Sequence, residues 1–333
     1  MRKLASIRKI GNLQPIKDAD RIELAIVDGW KVVINKGVHI IGELVLYFEI
    51  DSMLPIQEEF EFLRKTSYRM MSDGTEGFRL KTIRLRKQIS QGLIVPTSIL
   101  PAGVPIIEGQ DVTKILNIVK YVPPIPPELA GKVIGQFPSF IQKTDEERIQ
   151  NFSDEYEEMR KFKYFASEKL DGTSCTMFFN QKIGICSRNL ELAEGDTTQW
   201  RLARDSGLVS KLENLGRNIA LQGEIIGEGV QKNKYKLKGQ EFRLFNIFDI
   251  DNYEYLSKSE MLEIAKQFGL KIVPTVFESA KLPETIDEIL KLAEGKSILN
   301  PQREREGLVW ASVDSPERFS FKTISNKFLL KYE

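Results

Sequence analysis

"SEKLDGTS" (residues 167–174) places a lysine, Lys169, between an acid, Glu168, and an Asp-Gly turn, Asp171-Gly172. The stretch reads as a strand end leading into the strand-like "TSCTMFF" (173–179). An amine there is either half of an ordinary ion pair or a nucleophile. Alone, Lys-x-Asp-Gly is a weak signal. The chemical reading needs partners: carboxylates for a metal, cations for a polyphosphate, and a way to strip the lysine of its proton. An unperturbed lysine, with a pKa of about 10.4, is more than about 99% protonated at neutral pH.

Such partners follow in order. "IALQGEII" (219–226) carries Glu224 on a strand beside small residues, and "EGLVWASV" (306–313) opens with Glu306 before another strand. "GICSRN" (184–189) supplies Arg188 and Asn189 at a strand end. "FRLFNIFDI" (242–250) supplies Phe248, and "RFSFKTISNKF" (318–328) supplies Lys322 and Lys327. Helical patterns separate these strands, at "SKSEMLEIAKQFGL" (257–270) and "ETIDEILKLAEG" (284–295). Thr144 and Glu147 in "TDEERIQNF" (144–152) read as a capping box opening a further helix. The back of the chain is therefore expected to be an α+β domain of antiparallel sheets with helices between them.

The front reads differently. "IELAIVDGWKVVINKG" (22–37) alternates and breaks at Asp28-Gly29, a hairpin signal. "GELVLYFEIDSMLP" (42–55) and "GFRLKTIRLRKQISQGLIVP" (77–96) add short strands, which suits a small oligonucleotide-binding (OB) barrel. Between the halves, "VKYVPPIPPELAGK" (119–132) holds Pro123, Pro124, Pro126 and Pro127, a stiff segment unsuited to the middle of a helix or sheet. The expected division is an OB-fold nucleic-acid-binding domain over 1–117, a Pro-rich linker over 118–135 and a catalytic domain over 136–333.

Composition narrows the classes. A 41% hydrophobic and 29% charged chain of 333 residues suits a soluble two-domain protein, and no apolar run reaches membrane-spanning length. One histidine and two cysteines leave no material for a His-based triad, a disulfide framework or a four-ligand zinc site, so any metal must sit on oxygen. Cys175 and Cys186 are read as small core residues. Residues 1–120 carry 18 Lys and Arg against 14 Asp and Glu, a mildly basic front compatible with nucleic acid. Arg79, Lys81, Arg84, Arg86 and Lys87 suit phosphate contact or, equally, a charge-protected edge. Trp30, Tyr47 and Phe48 are read first as barrel core. The basic loop "VQKNKYKLKG" (230–239) is read as solvated.

Taken together, Lys169-Leu170-Asp171-Gly172, Ser187-Arg188, Gly223-Glu224, the aromatic strand, Glu306-Gly307-Leu308-Val309 and Lys322 resemble the ordered motifs of covalent nucleotidyltransferases: RNA ligases, DNA ligases and capping enzymes. With the barrel in front, and with "SQGLIVP" (90–96) and "FPSFIQKTDEERIQNF" (137–152), the chain resembles RNA ligases of the Deinococcus/Naegleria type over nearly its whole length. The resemblance implies an OB-like barrel followed by an adenylyltransferase domain with ATP-grasp-like antiparallel sheets. It implies ATP with magnesium or manganese as cofactors, and RNA as partner. Lys169 would carry AMP, while Asp171, Glu224 and Glu306 would hold a metal mainly through water. Phe248 and Val309 would sandwich adenine. Arg188 would contact the sugar or the RNA end, Lys322 the α-phosphate and Arg148 the outgoing phosphates, with Glu168 among the nucleotide contacts. Relatives often end on Lys-x-Lys where this chain has Ser320-Phe321-Lys322, so Arg318 or Lys327 is expected to substitute.

The expected activity is sealing of 3′-OH/5′-phosphate RNA ends, in particular nicks in duplexes whose 3′-OH strand is RNA, by a cytoplasmic monomer. A DNA ligase or GTP-using capping enzyme shares the motifs, and an OB-type RNA-binding protein with a degenerate catalytic domain is the non-enzymatic alternative.

Overall fold

The computed structural model describes residues 2–125 and 127–332; Pro126 of the proline run, Met1 and Glu333 lie outside the described residues. The front half is built around strand Leu44–Phe48, which pairs antiparallel with Ala5–Lys9 on one side and Leu93–Pro96 on the other. Both of its faces are buried. Leu46 and Phe48 pack with Ala5, Ile7, Phe60 and Phe78, while Val45 and Tyr47 pack with Trp30, Val32 and Ile94. In a barrel wall inward- and outward-facing residues alternate along each strand, and here both sets are covered. The hairpin Ile22–Val27/Trp30–Asn35 turns at Asp28 and Gly29, both at positive φ (47° and 78°), the geometry whose twist matches paired strands. Trp30, Tyr47 and Phe48 are core residues, as the sequence suggests.

The catalytic half holds two sheets. The larger runs Val133–Gln136, Leu190–Leu192, Lys182–Cys186, Thr173–Asn180, Ile219–Gly227, Gln240–Asp249 and Glu254–Tyr255 in spatial order. Lys271–Ile272 pairs parallel with Gln240–Asp249. Helices Thr198–Asp205, Leu208–Leu215 and Lys258–Phe268 bury its outer face through Trp200, Leu212, Ile264 and Phe268. The smaller sheet runs Thr275–Lys281, Lys163–Lys169, Gly307–Ser312 and Ser320–Ile324. One of its faces, carrying Tyr164, Ala166, Leu308, Trp310 and Phe321, packs on helix Ile286–Leu292 through Ile289. Both free cysteines are buried.

One expectation fails on local chemistry. Capping boxes close at Ser257/Glu260 and Thr285/Glu288, but not at Thr144/Glu147. There the Glu147 carbonyl accepts the Lys322 N–H at 2.7 Å, and its carboxylate accepts from Asn151 Nδ2. The segment is thus recruited beside a strand, and only a short 3₁₀ turn, Ile149–Phe152, follows. The segment read as a linker is also pinned at each end. Val119–Lys120 pairs with Ser52 and Met53 of the barrel, and Val133–Gln136 joins the larger catalytic sheet.

Several contacts dock the barrel against the catalytic half. Arg8 donates to Asp154 Oδ1 at 2.7 Å, and Lys3 reaches the same carboxylate at 2.6 Å. Arg2 lies between Glu49 and Glu147. Farther along, Ile89 of hairpin Ile83–Leu85/Gln88–Ser90 packs on Ile324 and Leu329. Of the basic cluster, Arg79 is tied to Asp51 at 3.0 Å and lies over the Tyr121 ring, whereas Lys81, Arg84, Arg86 and Lys87 are exposed.

Candidate active site

Strand pleating decides what meets what. Cross-strand partners share a face, so the pairings Ser167–Val309 and Val309–Lys322 put those three side chains together. Lys169, two residues beyond Ser167, points the same way, away from the core of the smaller sheet. Glu306 ends one residue before Gly307, the partner of Lys169. Its Oε1 accepts from Lys169 Nζ at 2.7 Å. Glu224 projects from the larger sheet, opposite Ser174. Two motif glycines permit this proximity. A Cβ on Gly172 would lie 2.3 Å from the Ile225 carbonyl oxygen and 2.9 Å from Glu224 Cγ; one on Gly307 would lie 2.1 Å from the Thr323 carbonyl oxygen. Gly172→Ala is therefore expected to push the Asp171 turn off the Glu224 strand. It should cost roughly 1–3 kcal/mol in urea unfolding, and at least about tenfold in nucleotide transfer.

Charge is unevenly shared. Burial alone disfavours the Lys169 ammonium, but Glu306, then Glu224 and Asp171, outweigh it and hold the amine above its ordinary value. Burial, with Glu306 and Asp171 nearby, pushes Glu224 up to about 7 despite Lys169. Lys322 goes the other way: burial, helped by Lys169, Arg148 and Arg188, lowers it to about 8 against the pull of Asp145. Burial likewise opposes ionisation of Asp145, yet Lys322, Arg188 and Lys120 hold it well below the usual carboxylate range. Asp145 lies 2.5 Å from Arg188, 3.3 Å from Lys120 of the barrel and 3.6 Å from Lys322. Arg148 pairs in a β-bridge with Lys322, its guanidinium 5.5 Å from the barrel's Trp30 ring.

Not every candidate joins this group. Lys327 sits exposed on helix Asn326–Tyr332, 2.8 Å from Glu294, because the chain has turned into a helix by then. Arg318 stays near: it donates to Ser320 Oγ at 2.7 Å and lies over Tyr255. It borders a cleft of about 320 Å³ lined by Asp145, Glu146, Phe248, Tyr255 and Ser320. Phe248 is only 1% exposed and meets Tyr253 and Tyr255 edge-on, so its ring offers no open face to a base. Phe245, at a bulge of the same strand, is half-buried in the cluster of Leu170 and Leu299. Alternation sends Glu168 to the face opposite Lys169. There its Oε2 accepts the Ile298 N–H at 2.8 Å, and its buried Oε1 has no partner among the described residues.

The loop read as solvated is part of the site. Lys234 forms an ion pair with Asp171, and the Tyr235 hydroxyl accepts the Asp171 N–H at 2.7 Å. Lys120, Asp145, Lys234 and Tyr235 were all missed, and only the basic run 230–239 hinted at any of them. Among the described residues no three His, Cys, Asp or Glu side chains converge to cage an ion directly. Glu306 Oε2, however, is buried without a protein partner. That donor set fits an ion held largely through its own waters, as magnesium is.

An OB-fold barrel joined to a two-sheet nucleotidyltransferase domain is the class that fold and site define. A family model described as RNA ligase matches residues 162–331, and one described as an OB-fold domain matches 4–97. The chain is similar to Naegleria gruberi RNA ligase solved with PPi, at 44% identity and TM-score 0.83, covering 100% of this chain and 99% of that one. A mutant of the same enzyme with AMP and Mn matches at 44% and 0.84, and one with ATP and Mn at 43% and 0.83, each covering 99% of both chains. No curated protein matches. The chain belongs to the RNA ligase family.

Proposed function

We propose that this protein is an ATP-dependent RNA ligase that seals 3′-OH/5′-phosphate ends through a lysyl–AMP intermediate, acting as a cytoplasmic monomer on nicks whose 3′-OH strand is RNA. The observation that carries the reading is the Lys169–Glu306 pair, with Glu306 Oε2 left without a protein partner and Lys322 on the same sheet face. The ATP, AMP and Mn of the Naegleria gruberi structures support the nucleotide and the metal.

In this reading Lys169 Nζ attacks the α-phosphorus of ATP. The N–P bond forms as the P–O bond to pyrophosphate breaks, and the amine proton leaves to solvent. Glu306 and Glu224 would hold a divalent ion, which when bound would supply positive charge to neutralise the α-phosphate and favour the free amine. Lys322 stabilises charge developing on the α-phosphate, and Arg148, Arg188 and Lys120 receive the departing phosphates. Phe245 replaces Phe248 as the ring opposite Val309. AMP then passes to the RNA 5′-phosphate, and the 3′-hydroxyl displaces it. Lys81, Arg84, Arg86 and Lys87 grip phosphates without reading sequence.

The test is transfer of label from α-labelled ATP or GTP, with magnesium or manganese, to protein stripped of bound nucleotide. A nicked-duplex sealing assay with RNA or DNA 3′-OH strands follows. Label from ATP and sealing of the RNA strand are expected. Label from GTP alone would point to capping chemistry, sealing of DNA alone to a DNA ligase, and no label to an RNA-binding protein.

A further inference from the structure

Of the three carboxylates around Lys169, Asp171 differs from the other two in being ion-paired to a second lysine. Lys234 is paired to its Oδ2, and both side chains are largely buried, 16% exposed each. The lysine comes from the loop after the Glu224 strand, and that loop is shaped to deliver it. Gln231, Lys232, Asn233 and Lys236 all adopt left-handed φ, 44°, 59°, 47° and 55°. Non-glycine residues in that region cost energy and persist only where surroundings enforce them. Here the enforcement is visible: Asn233 bonds both the N–H and the carbonyl of Leu237, and Asn300 Nδ2 donates to the Lys234 carbonyl. The Lys234 ammonium also lies 5.0 Å from the Phe328 ring centre on the C-terminal helix. The same loop holds the Asp171 backbone through Tyr235. By contrast, Glu306 pairs through Oε1 with the Lys169 ammonium, and its Oε2 has no protein partner among the described residues.

We propose that Lys234 is a positioning residue whose built-in positive charge keeps Asp171 out of the metal's coordination. It leaves Glu224 and Glu306 as the metal's carboxylates and presents Asp171 in one fixed orientation. The inference rests on the ligase reading for its purpose, but its physical content is a competition between two cations for one carboxylate. Removing the lysine leaves a third carboxylate uncompensated beside the other two, and added uncompensated negative charge at close range strengthens the attraction for a cation.

The experiment is Mn2+ titration of the ATP-free protein, read by paramagnetic resonance of the free ion. Lys234→Met is expected to bind Mn2+ at least about threefold tighter than the parent. Asp171→Asn combined with Lys234→Met should return within about twofold of the parent, and Lys234→Arg should stay there. Lys234→Gln, which keeps a polar head without charge, is titrated in parallel and should follow Lys234→Met, so that misfolding of one variant does not decide the matter. Unchanged or weaker binding by both neutral variants, undetectable binding by all of the proteins, or equally tight binding by the double variant would overturn the proposal. Label transfer by the parent is measured separately. Its absence counts against the ligase reading, whereas the Mn2+ affinities bear only on Lys234.

Discussion

Lys169→Met is expected to yield a folded protein that takes no label from α-labelled ATP. Methionine keeps most of the stem and removes the nitrogen proposed to form the N–P bond. The interest lies in the rival amine. Lys322 shares the sheet face and sits at about 8, whereas Lys169 is held above its ordinary value by Glu306 and Glu224. By proton availability alone Lys322 is the readier nucleophile. Position argues otherwise: Lys169 is the amine in contact with Glu306, whose Oε2 has no protein partner among the described residues, and an ion held by these carboxylates would weaken their hold on that amine. Lys322→Met is thus expected to slow labelling by about 10²–10³, the usual loss for one charge-stabilising group, while leaving the label on Lys169. Peptide mapping decides between them. Label persisting in Lys169→Met and vanishing in Lys322→Met would reverse the assignment.

Glu224→Gln is expected to gain stability as it loses activity. The Glu224 carboxyl is pushed up to about 7, first by burial, and its ordinary value is 4.5. Between those values the folded protein holds a proton that the unfolded chain has released, so native stability falls as pH rises through the window. At pH 8 the ionised group costs on the order of 3 kcal/mol by this count, a cost a neutral amide avoids. The variant's urea midpoint should therefore exceed the parent's at pH 8, and the two should converge below about pH 5. Label transfer should drop by about 10²-fold or more if Glu224 is a metal carboxylate as proposed. Equal midpoints at both pH values would mean that Glu224 is not ionised at a cost in the ATP-free protein. A stability reserve spent on an active-site charge is a familiar trade.

Much of this was legible beforehand. The hairpin at Asp28-Gly29, the strand runs and the helices capped at Ser257 and Thr285 are local features, each specified by a few neighbouring residues. Helices Thr198–Asp205 and Leu208–Leu215 were less visible, being short and separated by only two residues, Ser206 and Gly207. Thr144 and Glu147 have the spacing of a cap but not its geometry, because a distant strand claims the Glu147 carbonyl. Phe248 and Phe245 are three residues apart in one strand. The bulge at Phe245 and the aromatic packing of Phe248 leave the first half-buried and the second fully buried, and neither shows in the chain order.

The sequence by itself determined the ordered set Lys169, Asp171, Glu224, Glu306 and Lys322, the barrel ahead of it and the RNA ligase family to which the chain belongs. Residue types in order were enough, because covalent chemistry at a lysine needs those few groups on strands. Only the tertiary structure decided that Lys234 neutralises Asp171, that Lys120 of the barrel reaches Asp145, that Lys327 stands apart and that Trp30 lies beneath Arg148. Those are encounters between groups 25 to more than 100 residues apart. Burial and Coulomb energy depend on distance in space, which residue order alone does not encode.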